Sequence, residues 1–181
     1  MAVDVCTVGH STHPIEEFLV ILHAHGVREI ADVRTIPKSR TNPQFGSDVL
    51  RRSLAADGIA YRHIPSLGGL RHPRKDSPND GWRNTSFRGY ADHMATEDFE
   101  RGIDELLDAA AVHRVAVMCA EAVPWRCHRS LIGDAVLVRG IPVLDLMDAK
   151  AAKPHQLTRF ARVEGTHITY PAQAENGVAL W

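Results

Sequence analysis

The sequence lacks any apolar stretch that approaches the ~20 residues needed to span a bilayer. Its first residues lack a basic segment followed by a long apolar run, so we expect no secretory signal peptide. The formal net charge is −1, which favours neither a membrane nor a nucleic-acid partner. Cysteine is scarce, with three residues in a chain of 181, which is long enough to fold without disulfide bonds. We therefore predict a cytoplasmic protein with reduced thiols and no membrane partner.

What the sequence does contain is an alternation of short apolar runs and helical patterns. The apolar runs predict strands at residues 3–9, 29–33, 60–65, 115–118 and 141–147. Helical spacing predicts helices that begin near Thr12, Ser47, Thr96 and Cys127. This alternation indicates a three-layer α/β fold, a mostly parallel sheet of about five strands with helices on both faces. We predict a single α/β domain over residues 1–181, with a core at 3–147. The tail at 148–181 is expected to be irregular and to pack on the domain, with a possible edge strand at 168–170.

A long segment without periodicity, residues 66–89, interrupts this alternation. A loop of this length inside a compact domain is often functional. Its part from Arg71 to Arg88, here called the basic loop, has five Lys or Arg and two Asp with interleaved aromatic residues. That composition is typical of a surface that contacts a phosphate backbone, and equally of a solvated lid.

Chemically interesting residues concentrate where the predicted strands end. In parallel α/β sheets, ligands bind beyond the carboxyl ends of the strands. This rule selects four loops, at residues 9–12, 32–40, 66–69 and 119–129. The richest is the last, within VAVMCAEAVPWRCHRS at 115–130, where two thiols, a carboxylate, an imidazole and two guanidinium groups meet a strand-to-helix turn. A helix N-terminus there could bind an anion or activate a thiol.

The two thiols of this turn have competing interpretations. Cys127 stands at the predicted helix start beside Arg126, His128 and Arg129, and these neighbours are expected to depress its pKa. It could also be a small buried residue packed on the sheet. Cys119 ends an apolar strand and could be a nucleophile or a core residue, because free cysteine is among the most buried residue types.

Acid–base candidates lie on the same turn and on the first strand. Glu121 could transfer protons, or could form an ion pair with Arg126 or Arg129. His128 could be a proton shuttle, a metal ligand or a solvent-facing helix residue. His10 would face Cys119 if the first and fourth strands are neighbours. The catalytic candidates are Cys119, Glu121, Cys127, His128 and His10.

The ligand-binding candidates are basic, small or flexible residues of the four loops. Arg34 could contact an anion directly or pair with Asp32, and Ser11 could instead cap the first helix. Gly68 and Gly69 could form a hinge or a tight turn. The full ligand-binding set is Arg34, Arg40, Arg126, Arg129, Ser11, Gly68, Gly69 and Arg71.

Several strings together resemble one bacterial and archaeal family, catalogued as domain of unknown function 488. They are TVGHST, ADVRTIPKSR, SLGGLR, FRGYADHM and MCAEAVPWRCHRSLI. The resemblance runs from Cys6 to about Leu146 and implies the fold without implying an activity. A weaker similarity is to rhodanese-like domains, through a strand that ends Asp32-Val33-Arg34 and a later strand that ends at Cys119. The seven residues between Cys119 and Cys127 depart from the shorter rhodanese loop.

These observations support three hypotheses of function. The first is an enzyme on an anionic small molecule or modified base, with Cys127 or Cys119 as nucleophile or redox thiol, by sulfur transfer, hydrolysis or thiol redox chemistry. The second is a nucleic-acid or nucleotide binding module that uses the basic loop. The third is a metal-dependent site built from Cys and His, although the spacing of the cysteines is wider than structural zinc sites prefer. We predict no cofactor and no metal, and leave the oligomeric state open.

Overall fold

A computed structural model describes residues 4–172 and contains a six-stranded sheet with the order β3-β2-β4-β1-β5-β6. The sheet strands are Val5–Gly9 (β1), Glu29–Asp32 (β2), Ala60–His63 (β3), Val115–Cys119 (β4), Val143–Leu146 (β5) and Ala152–Pro154 (β6). All neighbours are parallel except β6, which pairs antiparallel with β5. The helices are Ile15–Ala24 (α1), Ser47–Ala56 (α2), Thr85–His93 (α3), Glu97–Val112 (α4) and Arg129–Leu137 (α5).

The helices cover both faces of the sheet, so the three-layer α/β prediction is confirmed. On one face α1 and α2 bury Phe18, Leu22 and Leu54 against the sheet. On the other face α3, α4 and α5 bury side chains such as Phe99 and Leu131. The central strands β1 and β4 are buried along their whole length, and such strands read as continuous apolar runs because both faces are covered.

The register of the central strands brings the predicted loops together. Gly9 at the end of β1 is level with Cys119 at the end of β4. The backbone N–H of His10 then donates to the carbonyl of Cys119 over 3.0 Å. The turn after β4 crosses so close to β1 that a Cβ on Gly9 would lie 1.8 Å from the carbonyl oxygen of Glu121. Only glycine is compatible with that approach.

Two sequence predictions about regular structure were wrong. The segment 66–89 is not an uninterrupted loop, because α3 begins inside it, with the Asn84 side chain accepting hydrogen bonds from the N–H groups of Ser86 and Phe87. The tail is not irregular throughout, since β6 lies in it and Arg162–Glu164 (β7) pairs with His167–Thr169 (β8) as a separate hairpin. The expected edge strand at 168–170 therefore lies outside the main sheet. The predicted start of β1 at residue 3 and the end of the tail at 173–181 fall outside the described residues.

A buried polar network anchors the segment that follows β6. The His155 ring contacts Asp134 through Nε2 and Asp145 through Nδ1, each at 3.0 Å. The Tyr170 hydroxyl donates to the other oxygen of Asp134 over 2.9 Å. Burial would lower the pKa of His155, but the two carboxylates outweigh it and raise that pKa to about 9. The charged imidazole of His155 therefore binds the tail to α5 and β5.

Within residues 4–172, no helix is both long enough and apolar enough to cross a bilayer.

Candidate functional site

A cavity of about 560 Å³ opens at the carboxyl edge of the sheet, above β1, β2 and β4. Its wall combines residues from the four loops that the strand-end rule selects. A cavity of this volume matches the size of small-molecule sites. Among the predicted site residues, those that line it are His10, Ser11, Arg34, Gly69, Cys119, Glu121, Cys127 and His128.

Two thiols meet at the inner end of this cavity. The Sγ atoms of Cys119 and Cys127 lie 2.6 Å apart and form a hydrogen bond. The side chains are almost fully buried, with 2% and 5% of the residue surface exposed. Both residues also line the cavity, so a molecule bound there can reach their sulfur atoms.

Arg129 lies beneath the two thiols with no exposed surface. Its Nη1 donates to the Sγ of Cys119 over 2.9 Å and to the carbonyl oxygens of Val8 and Glu121. Its Nη2 donates to the carbonyl of Ala122 over 3.2 Å. The guanidinium therefore holds the turn in place and puts a positive charge against one sulfur, and it does not face the cavity as an anion-binding group.

These contacts separate the pKa values of the two thiols. The hydrogen bond from Cys127 lowers the pKa of Cys119 to about 7, against the opposing effect of burial and with the help of the Arg129 charge. The pKa of Cys127 is raised, because its proton is held by Cys119 and because it is buried. The prediction that the chain neighbours of Cys127 depress its pKa was wrong, because the Arg129 guanidinium donates to Cys119 and the pKa of Cys127 is raised. The α5 N-terminus contributes only a long contact, 3.5 Å, from the N–H of Arg129 to the Sγ of Cys127.

His10 is a neutral imidazole with both ring nitrogens engaged. Nδ1 lies 2.9 Å from the carbonyl oxygen of Ser11, which can only accept, so Nδ1 carries the proton. Nε2 then accepts from the Nη1 of Arg34 at 3.3 Å. Burial lowers the pKa of His10 to about 4, and its ring stacks on Phe45 with centroids 4.2 Å apart. His10 therefore positions Arg34 at the cavity wall.

Arg34 is held from the opposite side by a buried carboxylate. Its Nε and Nη2 donate to the two oxygens of Asp32 over 2.9 and 2.6 Å. The Tyr61 hydroxyl donates to the same carboxylate over 2.8 Å. The pairing of Asp32 with Arg34 is thus part of the structure of the cavity floor, and Asp32 offsets much of the positive charge of Arg34.

His128 is not the solvent-facing helix residue that its position suggests. Its Nε2 donates to the carbonyl of Val33 over 3.1 Å, so the lone pair is on Nδ1, 3.5 Å from the Sγ of Cys127. Burial lowers the pKa of His128 to about 4. The ring packs beside Tyr90, with centroids 4.9 Å apart. His128 is therefore a neutral ring whose Nδ1 faces the Cys127 sulfur.

Two strained backbone positions lie in the cavity wall. Among residues 4–172, positive φ angles outside glycine occur at Ser11 (47°) and Leu70 (57°), and both residues line the cavity. Such a conformation costs roughly 1–2 kcal/mol for a residue with a Cβ, and strain of this kind concentrates at functional sites. The expected capping role of Ser11 was wrong, because Pro14 precedes α1 and no side chain caps that helix.

Other predicted site residues lie away from the cavity or turn from it. Arg40 and Arg126 are exposed and do not line it. Gly68 packs against Thr35, and Arg71 donates to the carbonyl of Gly68 over 3.1 Å.

Glu121 lines the cavity with an exposed side chain, and its contact with Arg129 is through the backbone carbonyl, so the expected ion pair is absent from the described contacts. Sequence reasoning missed several wall residues. Thr35, Ile36, Lys38 and Ser39 lie in the selected loop 32–40, whereas Thr41, Asn42 and Leu70 lie just beyond the selected loops.

The geometry gives little support to the metal hypothesis. Within the described part of the chain, no group of three or more His, Cys, Asp or Glu residues is arranged to hold a metal ion. His10 and His128 each use one ring nitrogen as a donor to a backbone carbonyl. The remaining nitrogen of His10 accepts from Arg34, which a ligand nitrogen could not do.

The basic loop uses much of its charge and aromatic surface internally. Arg74 pairs with Asp76 at 3.1 Å, and Arg88 donates twice to the carbonyl of Trp82. The Trp82 ring stacks on Phe87 with centroids 4.7 Å apart. The nucleic-acid hypothesis needs these groups to be available to a ligand, so the structure does not favour it.

The fold and the site together define an α/β protein with a thiol pair at the carboxyl edge of a mostly parallel sheet. The family model described as Domain of unknown function DUF488 matches residues 14–136, which is more than half of the chain and includes both thiols. The chain belongs to this family. Comparison with curated proteins gives no match, and comparison with solved structures gives none either. The rhodanese-like topology therefore stays a prediction.

Proposed function

We propose that this protein is a thiol-dependent oxidoreductase that reduces a small organic disulfide in the cavity. The observation that supports this most directly is the contact between the Cys119 and Cys127 sulfurs at 2.6 Å, with Arg129 donating to Cys119. A thiolate beside a guanidinium is the reactive form of cysteine. A second thiol within contact distance is what a disulfide-forming cycle requires.

The first step uses the difference in pKa between the two thiols. Near neutral pH, Cys119 is available as a thiolate while Cys127 keeps its proton. The Cys119 sulfur attacks one sulfur of the substrate R–S–S–R′, which forms the mixed disulfide Cys119–S–S–R and releases R′S⁻. The charge that Arg129 stabilised is thereby transferred to the leaving thiolate.

The second step closes the protein disulfide. Cys127 gives its proton to the released thiolate, which leaves as R′SH, and the Nδ1 of His128, 3.5 Å from the Cys127 Sγ, orients the thiol. The Cys127 sulfur then attacks the Sγ of Cys119, which forms the Cys119–Cys127 disulfide and releases RS⁻. Two electrons have moved from the protein dithiol to the substrate, and an external thiol reductant returns them. All three cysteines are free in the structure, which fits a reducing compartment such as the cytoplasm.

Hydrolysis has less support from the same geometry. A hydrolase would need a base with a free lone pair to activate water. The lone pair of His10 is taken by Arg34, and that of His128 points to Cys127 rather than to the cavity centre, so Glu121, whose side chain is exposed, is the remaining candidate base. Sulfur transfer would need one nucleophilic thiol, so it leaves the second thiol without a role.

Cationic side chains of the cavity wall would bind the negative charge of the substrate. Arg34 and Lys38 are the cationic side chains that line it. Because Asp32 already offsets much of the charge of Arg34, Lys38 is the better candidate to attract an anionic group. This proposal replaces Arg129, Arg40 and Arg126 as the anion-binding residues.

The test is the reaction of the protein with dithiobis(nitrobenzoate), an anionic aromatic disulfide that releases a coloured thiolate. The wild-type protein should release both nitrobenzoate thiolates and end with a Cys119–Cys127 disulfide. Cys127→Ser should release one and keep the other attached to Cys119, as identified by mass spectrometry. Cys119→Ser should release neither from this site.

Cys6→Ala is the matched control, because Cys6 is a buried thiol outside the cavity whose pKa burial raises to about 11. It should behave as the wild type does. Equal release by Cys119→Ser and the wild type would show that the proposal is wrong.

A further inference from the structure

The mouth of the cavity carries two apolar side chains that have no role in the packing of the core. Ile36 is 62% exposed and Leu70 is 78% exposed, yet both line the cavity. They come from different loops, after β2 and after β3. Exposed apolar side chains are ordinary when scattered, but these two share the entrance to one site.

The backbone conformation of Leu70 does not stabilise the folded protein. It has φ of 57°, a conformation that suits glycine and strains leucine. Its neighbour Gly69 is fitted closely against His128, since a Cβ there would lie 3.0 Å from Nδ1. The chain therefore presents a strained, exposed leucine directly after a glycine that packs on the site. Strain at such a position indicates a functional contact.

The volume of the cavity bears on the kind of ligand that fills it. About 560 Å³ lies in the range of sites that hold organic molecules and far exceeds what a small inorganic oxyanion fills. The thiol pair lies at the inner end, and the apolar side chains lie at the entrance. A ligand that reaches both must combine a reactive sulfur with a hydrocarbon body.

We propose that the substrate is an organic sulfur compound whose apolar body of several carbons is held by Ile36 and Leu70 while its sulfur reaches Cys119. This rests on the proposed function and goes beyond it by naming the substrate class. Inorganic sulfur anions such as thiosulfate are thereby disfavoured. Burial of the hydrocarbon body, and not the anionic charge alone, determines which disulfides react fastest.

The experiment uses alkyl methanethiosulfonates with methyl, propyl and pentyl groups on the full-length protein. The Cys119 thiolate attacks the sulfenyl sulfur, which forms Cys119–S–S–R and releases methanesulfinate, so atoms and electrons balance without a further reagent. Rapid acid quench and mass spectrometry give the rate constant for loss of the Cys119 thiol. Each rate is divided by that of glutathione with the same reagent.

The normalised rate should rise about tenfold from methyl to pentyl, the gain expected when the added methylenes are about half buried. Leu70→Gly and Ile36→Ser should flatten this dependence, and Leu70→Met should retain it. Val112→Ser is the matched control, since Val112 is 74% exposed on α4 and does not line the cavity.

A flat dependence in the wild type, or an unchanged slope in both Leu70→Gly and Ile36→Ser, would overturn the substrate class while leaving the reactive thiol intact. Failure of Cys119 to react even with the methyl reagent would overturn the proposed function, and this inference with it.

Discussion

Arg129 donates a hydrogen bond from Nη1 to the Sγ of Cys119 over 2.9 Å, and both residues are almost completely buried. The other hydrogen-bond acceptors of this guanidinium are backbone carbonyls. None of the ion pairs within residues 4–172 includes Arg129. A buried charge without a counter-charge is costly, and this supports the proposal that Cys119 reacts as a thiolate.

Replacement of Arg129 should therefore affect both reactivity and stability. In Arg129→Met we expect the pKa of Cys119 to rise above about 7, because the thiolate loses its positive neighbour. We also expect a loss of about 2–4 kcal/mol in the free energy of unfolding, since several buried carbonyls lose their donor. The pH dependence of iodoacetamide labelling and urea denaturation measure the two effects. Arg126→Met, an exposed neighbour, should change neither, and an unaltered Cys119 pKa in Arg129→Met would contradict the assignment.

Two variants at position 127 should show how the Cys127 hydrogen bond affects the pKa of Cys119. Cys127→Ala removes the hydrogen bond that is the largest cause of the lowered pKa of Cys119, so that pKa should rise. Cys127→Ser keeps a hydroxyl donor at the same place and should leave the Cys119 pKa closer to that of the wild type. Labelling of Cys119 as a function of pH, read by mass spectrometry, compares the two. Identical profiles for Ala and Ser would mean that the hydrogen bond has no such effect.

The anchor of the tail should make stability depend on pH. Against the effect of burial, Asp134 and Asp145 raise the folded-state pKa of His155 from its ordinary 6.5 to about 9. Its stabilising contribution is therefore fully present below pH 6.5 and is lost as the pH rises through about 9. The loss is on the order of 3 kcal/mol.

The measurement is urea denaturation of the wild type and His155→Gln across this pH range. Cys119 acts in the opposite direction, because its lowered folded-state pKa adds stability as the pH rises. Both proteins contain Cys119, so its contribution cancels when their free energies of unfolding are subtracted. We expect this difference to shrink from pH 6.5 to pH 9, and a constant difference would argue against a charged His155.

Leu70→Gly should separate stability from function. Glycine relieves the strain of the positive φ but adds freedom to the unfolded chain, so the free energy of unfolding should stay constant or rise by up to about 1 kcal/mol. The preference for long alkyl reagents should nevertheless be lost. Differential scanning calorimetry checks the first effect. A marked loss of stability would mean that Leu70 contributes to packing, in spite of its exposure.

Much of the fold could be predicted because its signals are local. The run at Val115–Cys119 reads as a strand since central parallel strands that are covered on both faces are apolar throughout. The helix α3 could not be predicted in the same way, because Gly89 and several polar residues weaken its pattern. Gly89 is required there by tertiary contact, as a Cβ would meet the carbonyl oxygen of Arg71 at 2.3 Å.

The sequence by itself determined the layered α/β architecture and the edge of the sheet at which Cys119 and Cys127 lie, since both follow from apolar periodicity and from the geometry of parallel strands. Only the tertiary structure decided which thiol lies against the Arg129 guanidinium. A pKa depends on the groups that surround a sulfur in space, and these include the side chain of Arg129, which reaches back from α5 to Cys119. Chain neighbours pointed to Cys127, whereas the folded contacts favour Cys119. The tertiary structure likewise placed Leu70 at the cavity mouth. The residues beside a leucine in the sequence do not reveal that its φ angle is positive.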